Sequence, residues 1–327
     1  MEGSNKLYLV TGASGHVGTV LVDRLLREGK RVRCLALPGE EREILAAADV
    51  RTGDVRKADT LNSFFDDVKG KDAVLIHCAA KISIASEPDP EVNDVNACGT
   101  ENVLKLAAEN EVGRVVYVSS VHAIPALPSP SVIREVDSFS PDLVRGQYAK
   151  SKAIAAQIAL DYAARGLDLS IVHPSGIIGP GDTKVRNHMI RTIRAIAEGR
   201  INTAPEGGYD FVDSRDVVDG ILSCAERGRA GECYILSGHY LTIRELIELV
   251  RRIKGRGGRA SMIPHEMARI FAPAAEYFGT VLGKAAPLFT PYSIETLKTN
   301  GNFSHEKATR ELGYYPRSIE ISVRDSL

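Results

Sequence analysis

The sequence predicts an α/β fold: a doubly wound parallel sheet with a smaller C-terminal lobe. Three observations carry that prediction. Short apolar runs recur through the first half of the chain, at Leu7 to Val10, Ala73 to His77, Val115 to Val118 and Leu169 to Val172. Runs of this length without polar alternation suit strands buried on both faces. Between them lie segments with apolar residues at helical spacing, such as Val17, Val20, Leu21, Leu25 and Leu26. The first run passes into its helix through Thr11-Gly12-Ala13-Ser14-Gly15-His16-Val17-Gly18, with a glycine at every third position.

Composition sets the outer bounds. A chain of 327 residues can bury a large core, and 44% apolar residues is ordinary for a globular protein. A formal charge of -1 makes no electrostatic case for nucleic acid as a partner. The cysteines Cys34, Cys78, Cys98, Cys224 and Cys233 form no C-x-x-C pair, which fits free thiols in a reducing compartment. His265-Glu266 has no second histidine at zincin spacing, so no metal site is expected. No apolar run approaches the ~18 residues of a membrane span. A strand starting about seven residues into the chain leaves no room for a leader, and a cytoplasmic location is expected.

The glycine-spaced turn carries the first functional reading. Gly12 permits a tight turn, Gly15 leaves room for a pyrophosphate against the backbone, and Gly18 lets the helix lie close to the sheet. The helix N-terminus supplies free N–H groups and positive potential, so Ser14, His16 and Val17 join the three glycines as candidate dinucleotide contacts. The alternative is a glycine-rich connection that binds nothing. The T-G-x-x-G-x-x-G spacing departs from the general G-x-G-x-x-G fingerprint. It resembles the extended branch of the short-chain dehydrogenase/reductase superfamily, the NAD-dependent epimerase/dehydratase family. The resemblance implies a Rossmann domain, a nicotinamide cofactor and a separate substrate lobe.

The remaining elements follow in order. Arg31 to Leu37 reads as the second strand, whose end meets the adenosine ribose in dinucleotide folds. Ala36-Leu37-Pro38-Gly39 shows neither an acidic ribose ligand nor an arginine clamp for a 2′-phosphate, so the balance leans to NAD(H) over NADP(H). Gly53-Asp54-Val55 ends a third run, Val50 to Val55, and resembles the family's adenine-contacting segment; Asp54 is otherwise a turn aspartate. Ala79 and Ala80 follow the Ala73–His77 run, where small residues let a cofactor approach. Lys81 after them is open between a solvated charge and a substrate-facing one. Val95-Asn96-Ala97-Cys98-Gly99-Thr100 resembles the family's N-x-x-G-T helix start. By that resemblance Asn96 orients a water near the catalytic lysine; by residue type alone it could equally be a capping or buried amide.

Arg114 to Ser120 is the next strand, ending in paired serines. Strand alternation and the resemblance favour Ser120 over Ser119 as the hydroxyl that polarises a substrate oxygen. The sharpest signal is Tyr148-Ala149-Lys150-Ser151-Lys152. Tyr148 and Lys152 stand four apart, on one face of a helix. A free phenol with a pKa of about 10 is a sluggish proton carrier at neutral pH, and a fixed cation beside it lowers that value. Alone, Y-x-x-x-K is usually a solvated helix face; downstream of the other segments it implies the family's catalytic pair. Tyr148 then exchanges the substrate proton, Lys152 holds the nicotinamide ribose, and Ser120 and Asn96 complete the set.

Leu169 to Val172 leads into His173-Pro174-Ser175-Gly176, with His173 where the family usually has arginine and Pro174 and Ser175 expected near the nicotinamide amide. Phe211-Val212-Asp213-Ser214-Arg215-Asp216-Val217-Val218 and Leu312-Gly313-Tyr314-Tyr315-Pro316 extend the resemblance toward the C-terminus. Expected boundaries are 1–174 with 213–238 for the dinucleotide-binding domain, and 175–212 with 239–327 for the substrate lobe. Many extended members bind nucleotide-sugars and carry a basic residue before F-V-x-x-x-D. Here Gly207-Gly208-Tyr209-Asp210 stands there instead. With the apolar stretch Ile263 to Phe289, this looks closer to the 3β-hydroxysteroid dehydrogenase and dihydroflavonol reductase branch. The implied activity interconverts a secondary alcohol and a ketone on a bulky apolar small molecule. The alternative is a nucleotide-sugar epimerase or dehydratase with tightly held NAD. A homodimer is a family-level expectation.

Overall fold

Continuous burial of the apolar runs builds the central sheet. In the computed structural model, which describes residues 6–41, 46–68, 72–84, 87–182, 187–258, 260–268, 270 and 290–327, seven parallel strands take the order β10-β6-β5-β4-β1-β2-β3. They are β1 (Leu7–Thr11), β2 (Arg31–Ala36), β3 (Asp49–Thr52), β4 (Ala73–His77), β5 (Arg114–Val118), β6 (Leu169–Pro174) and β10 (Cys233–Leu236). Successive residues alternate between two cores. Leu9, Leu75, Val115, Tyr117 and Ile171 face one, and Tyr8, Val10, Val74, Ile76, Val116 and Val172 face the other. The helices α1 (His16–Arg27), α2 (Asn62–Phe65), α3 (Pro90–Asn93), α4 (Gly99–Glu109), α5 (Gln147–Ala164), α6 (His188–Ala197), α7 (Ser214–Arg227) and α8 (Ile243–Ile253) complete the main framework.

The first core is covered by α4 and α5, the second by α1, α7 and the helix Glu306–Leu312. α5 presents Ala149, Ala153, Ala156 and Ala159 to the sheet, all buried. Side chains that short let the helix lie close, within reach of the β5 backbone. A third core joins α6, α8 and the strand β9 (Gly208–Asp213). β9 pairs in parallel with β7 (Gly176–Ile178) and antiparallel with β11 (His239–Thr242). A two-stranded parallel pair, β8 (Thr203–Pro205) with β12 (Ser261–Ile263), lies beside them in the chain's second half.

The strand order reverses between β1 and β4, and the crevice beyond their C-terminal ends is where open α/β sheets hold ligands. Three element boundaries differ from the sequence expectation. β3 ends at Thr52, so Asp54 and Val55 sit in the loop beyond it, and β5 ends at Val118, placing both serines past the strand. The N-x-x-G-T segment begins with a π-helical turn, Asp94–Cys98, before α4. Met267 and Ile270 are exposed, at 50% and 70%. The expected apolar positions Phe271, Tyr277, Phe278, Val281, Leu282, Leu288 and Phe289 lie outside the described residues. No described helix is long and apolar enough to cross a membrane.

Candidate active site

The glycine loop is held by close backbone approach. Gly12 has φ +67, and a Cβ there would stand 2.6 Å from the Ala79 nitrogen, so the β1 and β4 ends meet only because this residue is glycine. A Cβ at Gly18 would lie 2.1 Å from the Gly12 carbonyl oxygen, so its closeness serves the loop itself. Gly15 is exposed, caps α1 with extended backbone, and meets only the Gly12 oxygen, at 3.2 Å. The α1 N-terminus has neither a side-chain cap nor an acidic residue in its first turn, which preserves its positive potential for an anion.

A directed hydrogen-bond chain ties this loop to α4. The Ala79 N–H donates to Thr11 Oγ1 at 3.2 Å, and the Thr11 hydroxyl donates to His77 Nδ1 at 2.6 Å. His77 Nε2 donates to Thr100 Oγ1 at 3.0 Å, which donates to the Asn96 carbonyl at 2.6 Å. Burial pushes His77 down to about 3, so the imidazole is neutral and its tautomer is set by this chain. The Asn96 side chain accepts from Lys81 N at 2.8 Å and donates to Lys81 O and Ser151 Oγ, both at 2.9 Å. It therefore clamps the segment after β4 onto α5. The π-helical turn around it is a feature frequent at functional sites.

Tyr148 and Lys152 are 9% and 2% exposed, on the first turns of α5. Lys152 Nζ donates to Val118 O at 3.0 Å and Tyr117 Oη at 3.3 Å, and lies 5.0 Å over the Tyr117 ring. An ammonium has three protons, so one donor remains without a partner among the described residues. Y-x-x-x-K spacing suggests a phenol lowered by its ammonium, but burial dominates both groups. It pushes the Tyr148 phenol up, with the Ser120 hydroxyl pulling it back, and pushes Lys152 down to about 8. Ser120 follows β5, is 7% exposed, and accepts from His122 N at 3.2 Å.

The other expected contacts fall around this centre. Ser14 donates to Glu40 Oε2 at 3.0 Å. His16 Nε2 donates to Pro180 O at 2.9 Å, and its Nδ1 accepts from Asn187 Nδ2 at 3.1 Å, joining α1 to the α6 entry. Val17 is partly buried and packs on the second core. Asp54 accepts three hydrogen bonds from the Arg56 guanidinium and one from its backbone N–H, and Arg56 holds its carboxyl below the usual range. Val55 packs against Gly99, where a Cβ would stand 2.7 Å from Val55 Cγ2. Ala79 is partly buried and Ala80 exposed, and Lys81 pairs with Asp89 and Glu91. Pro174 closes β6, and the Ser175 hydroxyl donates to the buried Asp210 carboxylate, which burial pushes up to about 6. His173 Nδ1 donates to Ser120 O at 3.0 Å. Among the described residues no cluster of three or more His, Cys, Asp or Glu could hold a metal.

Sequence reasoning missed a group of rings around Tyr148. His122 packs edge-on against Tyr148, with centroids 5.8 Å apart, and near-parallel to Tyr209, also at 5.8 Å. Tyr292 lies 6.4 Å from His122. Gly146 and Gly176 make room: a Cβ at either would stand 2.1 Å from Tyr292 Cε2 or 2.5 Å from Tyr209 Cε1. Two had a local signal: His122 by its place two residues after Ser120, and Tyr209 by its place just before Phe211.

Glycine loop, switch-point crevice and buried lysine together define a dinucleotide-binding α/β protein. The family model described as "NAD dependent epimerase/dehydratase family" matches residues 8–237, and the chain belongs to that family. It is an oxidoreductase of the extended short-chain dehydrogenase/reductase type. It is 31% identical to "Sterol demethylase protein B" of Methylococcus capsulatus (strain ATCC 33009 / NCIMB 11132 / Bath), over 98% of this chain and 96% of that protein. It is 29% identical to the "Putative dihydroflavonol 4-reductase" of Synechocystis sp. (strain ATCC 27184 / PCC 6803 / Kazusa), over 98% of this chain and 93% of the other. Among solved structures, "Crystal structure of gox2253" matches with a TM-score of 0.82 and 32% identity, covering 98% of this chain and 96% of that one.

Proposed function

We propose that the protein interconverts a secondary alcohol and a ketone on a bulky apolar substrate, steroid-like or flavonoid-like, with NAD(H) preferred over NADP(H). The observation that carries this reading is Tyr148, a buried phenol beside the Ser120 hydroxyl, one helical turn from a buried ammonium. The nicotinamide, when bound, supplies or accepts the hydride. Tyr148 stays protonated well above neutral pH and donates to the developing alkoxide in reduction; in oxidation only its phenolate, formed at alkaline pH, takes the hydroxyl proton. Ser120 donates to the same oxygen and polarises it. Lys152, with two protons held by Val118 O and Tyr117 Oη, offers the third to a ribose hydroxyl. Asn96 keeps the segment after β4 and Ser151 in register.

The uncapped α1 N-terminus, the exposed Gly15 and the small Ala79 and Ala80 fit a pyrophosphate and nicotinamide in the crevice. Glu40 supports the cofactor preference. Its carboxylate reaches Ser14 in the glycine loop, where a 2′-phosphate would meet like charge. The lobe assignment follows the sheets: strands from 1–174 and 213–238 make the seven-stranded sheet, and 175–212 with 239–327 supply the smaller sheets. The aromatic surroundings of Tyr148, and Tyr209 in place of an arginine before Phe211, support an apolar substrate over a nucleotide-sugar. The names borne by the two relatives, a sterol protein and a flavonol reductase, point the same way.

The test is a thermal-shift screen of the cofactor-saturated protein, followed by turnover assays on the hits. Stabilisation and reduction of steroid-like or flavonoid-like ketones are expected. Stabilisation by UDP- or dTDP-sugars alone would overturn the reading.

A further inference from the structure

Resting on the assignment of the Ser120 hydroxyl to the reacting oxygen, we infer that His173 is the positioning residue for Ser120. Its Nδ1–H stands in for a backbone rung that Pro174 deletes, and holds the Ser120 carbonyl to the neighbouring strand. The ring is wholly buried, so it acts on a substrate only through the serine.

The ladder between β5 and β6 shows why a side chain is needed there. The strands run parallel, with Tyr117 opposite Ile171 and Val118 opposite Val172. Beyond them the Ser119 N–H still donates to the Val172 carbonyl, at 2.8 Å. Continued in that register, the next rung would run from the N–H of residue 174 to the Ser119 carbonyl. Residue 174 is proline and has no N–H, so the backbone ladder stops one residue short of Ser120. His173 Nδ1 reaches the Ser120 carbonyl instead, at 3.0 Å. A carbonyl oxygen only accepts, so Nδ1 carries the proton. Burial pushes the ring down to about 4, with Lys152 and Lys307 adding to the effect, so the imidazole is neutral and its Nε2 is a bare acceptor.

The other bonds to Ser120 are local. The Ala123 N–H donates to the same carbonyl at 3.0 Å, and the His122 N–H to the hydroxyl oxygen at 3.2 Å. Both donors lie in the turn that Ser120 itself caps, so they travel with it, whereas His173 ties it to the sheet. The imidazole keeps that bond at a cost. Its Nε2 is buried with no partner among the described residues, and an orphaned buried acceptor is destabilising. Packing alone would be served by a phenyl ring, since Phe139 stacks on the imidazole with centroids 5.2 Å apart. What a phenyl ring lacks is the donor at Nδ1. A hydroxyl that must meet a reacting oxygen loses on the order of a hundredfold in rate when displaced by ~1 Å, so this tie falls where position matters.

The experiment follows NADH-dependent reduction of 4-phenylbutan-2-one and 5α-androstane-3,17-dione in His173 variants, with NADH affinity and thermal melting measured beside it. His173→Phe keeps a ring and removes both nitrogens. Its kcat should fall about 10–100-fold while NADH affinity stays within about twofold. Its melting temperature should not drop, because the orphaned acceptor is removed with the donor. His173→Asn places an amide donor at the Nδ1 position and should return kcat to within about threefold of wild type. His173→Gln places the amide at the Nε2 position and should not. In a Ser120→Ala background, His173→Phe should lower kcat by less than about twofold further, because the two residues act as one unit. A packing role would lower the melting temperature of all three variants, give Asn no advantage over Gln, and add its loss to that of Ser120→Ala. That pattern, or normal kcat in His173→Phe, overturns the inference. Ser120→Ala separates the two levels: wild-type kcat in that variant, or no reduction of either ketone by wild type, overturns the catalytic reading and the inference with it.

Discussion

Lys152 lies over the ring of Tyr117, its Nζ 5.0 Å from the ring centroid and hydrogen-bonded to the Tyr117 hydroxyl at 3.3 Å. The lysine that sequence spacing pairs with Tyr148 is thus seated on a β5 aromatic ring and on the carbonyl of Val118. Cation and phenol share a helix face, but the sheet decides where the cation goes. The seat leaves one ammonium proton for a ligand and spares the charge a fully unpaired burial.

Removing the phenol oxygen tests the chemistry directly. Tyr148→Phe should lower kcat by about 10²–10⁴-fold, the usual weight of a positioned general acid. Cofactor affinity by fluorescence titration should stay within a factor of about two. Near-normal turnover would show that another group handles the proton.

The buried ammonium should leave a signature in stability against pH. Lys152 titrates near 8 in the folded protein and near 10.5 when unfolded. Between those values the unfolded state binds more protons, so this group's contribution to stability rises with pH and is lost as pH falls through about 8. Chemical denaturation of wild type and Lys152→Met should therefore show wild type gaining roughly 2 kcal/mol on the variant between pH 7 and pH 9.5. Parallel profiles would contradict the burial argument. In the same window, reduction by wild type should decline as the ammonium is lost.

Glu40 should govern the nucleotide preference. Wild type is expected to bind NADH more tightly than NADPH, and Glu40→Gln to narrow that ratio by roughly 3–10-fold. Calorimetric titration at low and high salt checks this, because a charge effect must shrink as salt rises. A ratio unchanged in Glu40→Gln would remove the carboxylate from the explanation.

On the proposed reading, Gly12 belongs to the cofactor side of the cleft and Gly146 to the substrate side. Gly12→Ala combines φ +67 with a Cβ 2.6 Å from the Ala79 backbone, and should cost stability on the order of 2 kcal/mol and abolish cofactor binding. Gly146→Ala, at φ +88, drives a Cβ into the Tyr292 ring at 2.1 Å. It should weaken apolar ketone binding at least tenfold while cofactor affinity is largely kept. Equal loss of both ligands in both variants would mean the cleft has no such division.

Much of this architecture was legible in the residues. Continuous apolar runs marked four of the seven central strands, β1, β4, β5 and β6, because each is buried on both faces; β2 and the partly exposed edge strand β3 were read from less regular segments, and α1 followed from the spacing of Val17 to Leu26. The glycine loop, the paired serines and Tyr148-x-x-x-Lys152 could be read as candidates because each is a short local pattern. β10 was less visible as a strand: Cys233–Leu236 is four residues long, and it belongs to the sheet because β6 offers it an open edge.

What the chain alone determined is the sequence of elements and the residue types at each strand end, since hydrophobic period and glycine spacing act over a few residues. Tertiary structure decided which distant groups meet. His77 bridges Thr11 and Thr100 only because β1 and β4 are neighbours, and His122, Tyr148, Tyr209 and Tyr292 converge from four elements. The ionisation of Tyr148 and Lys152 belongs to the same category. Spacing predicts that the pair shares a face, but the cost of burying each group comes from everything packed around it, and that packing exists only after the sheet has closed.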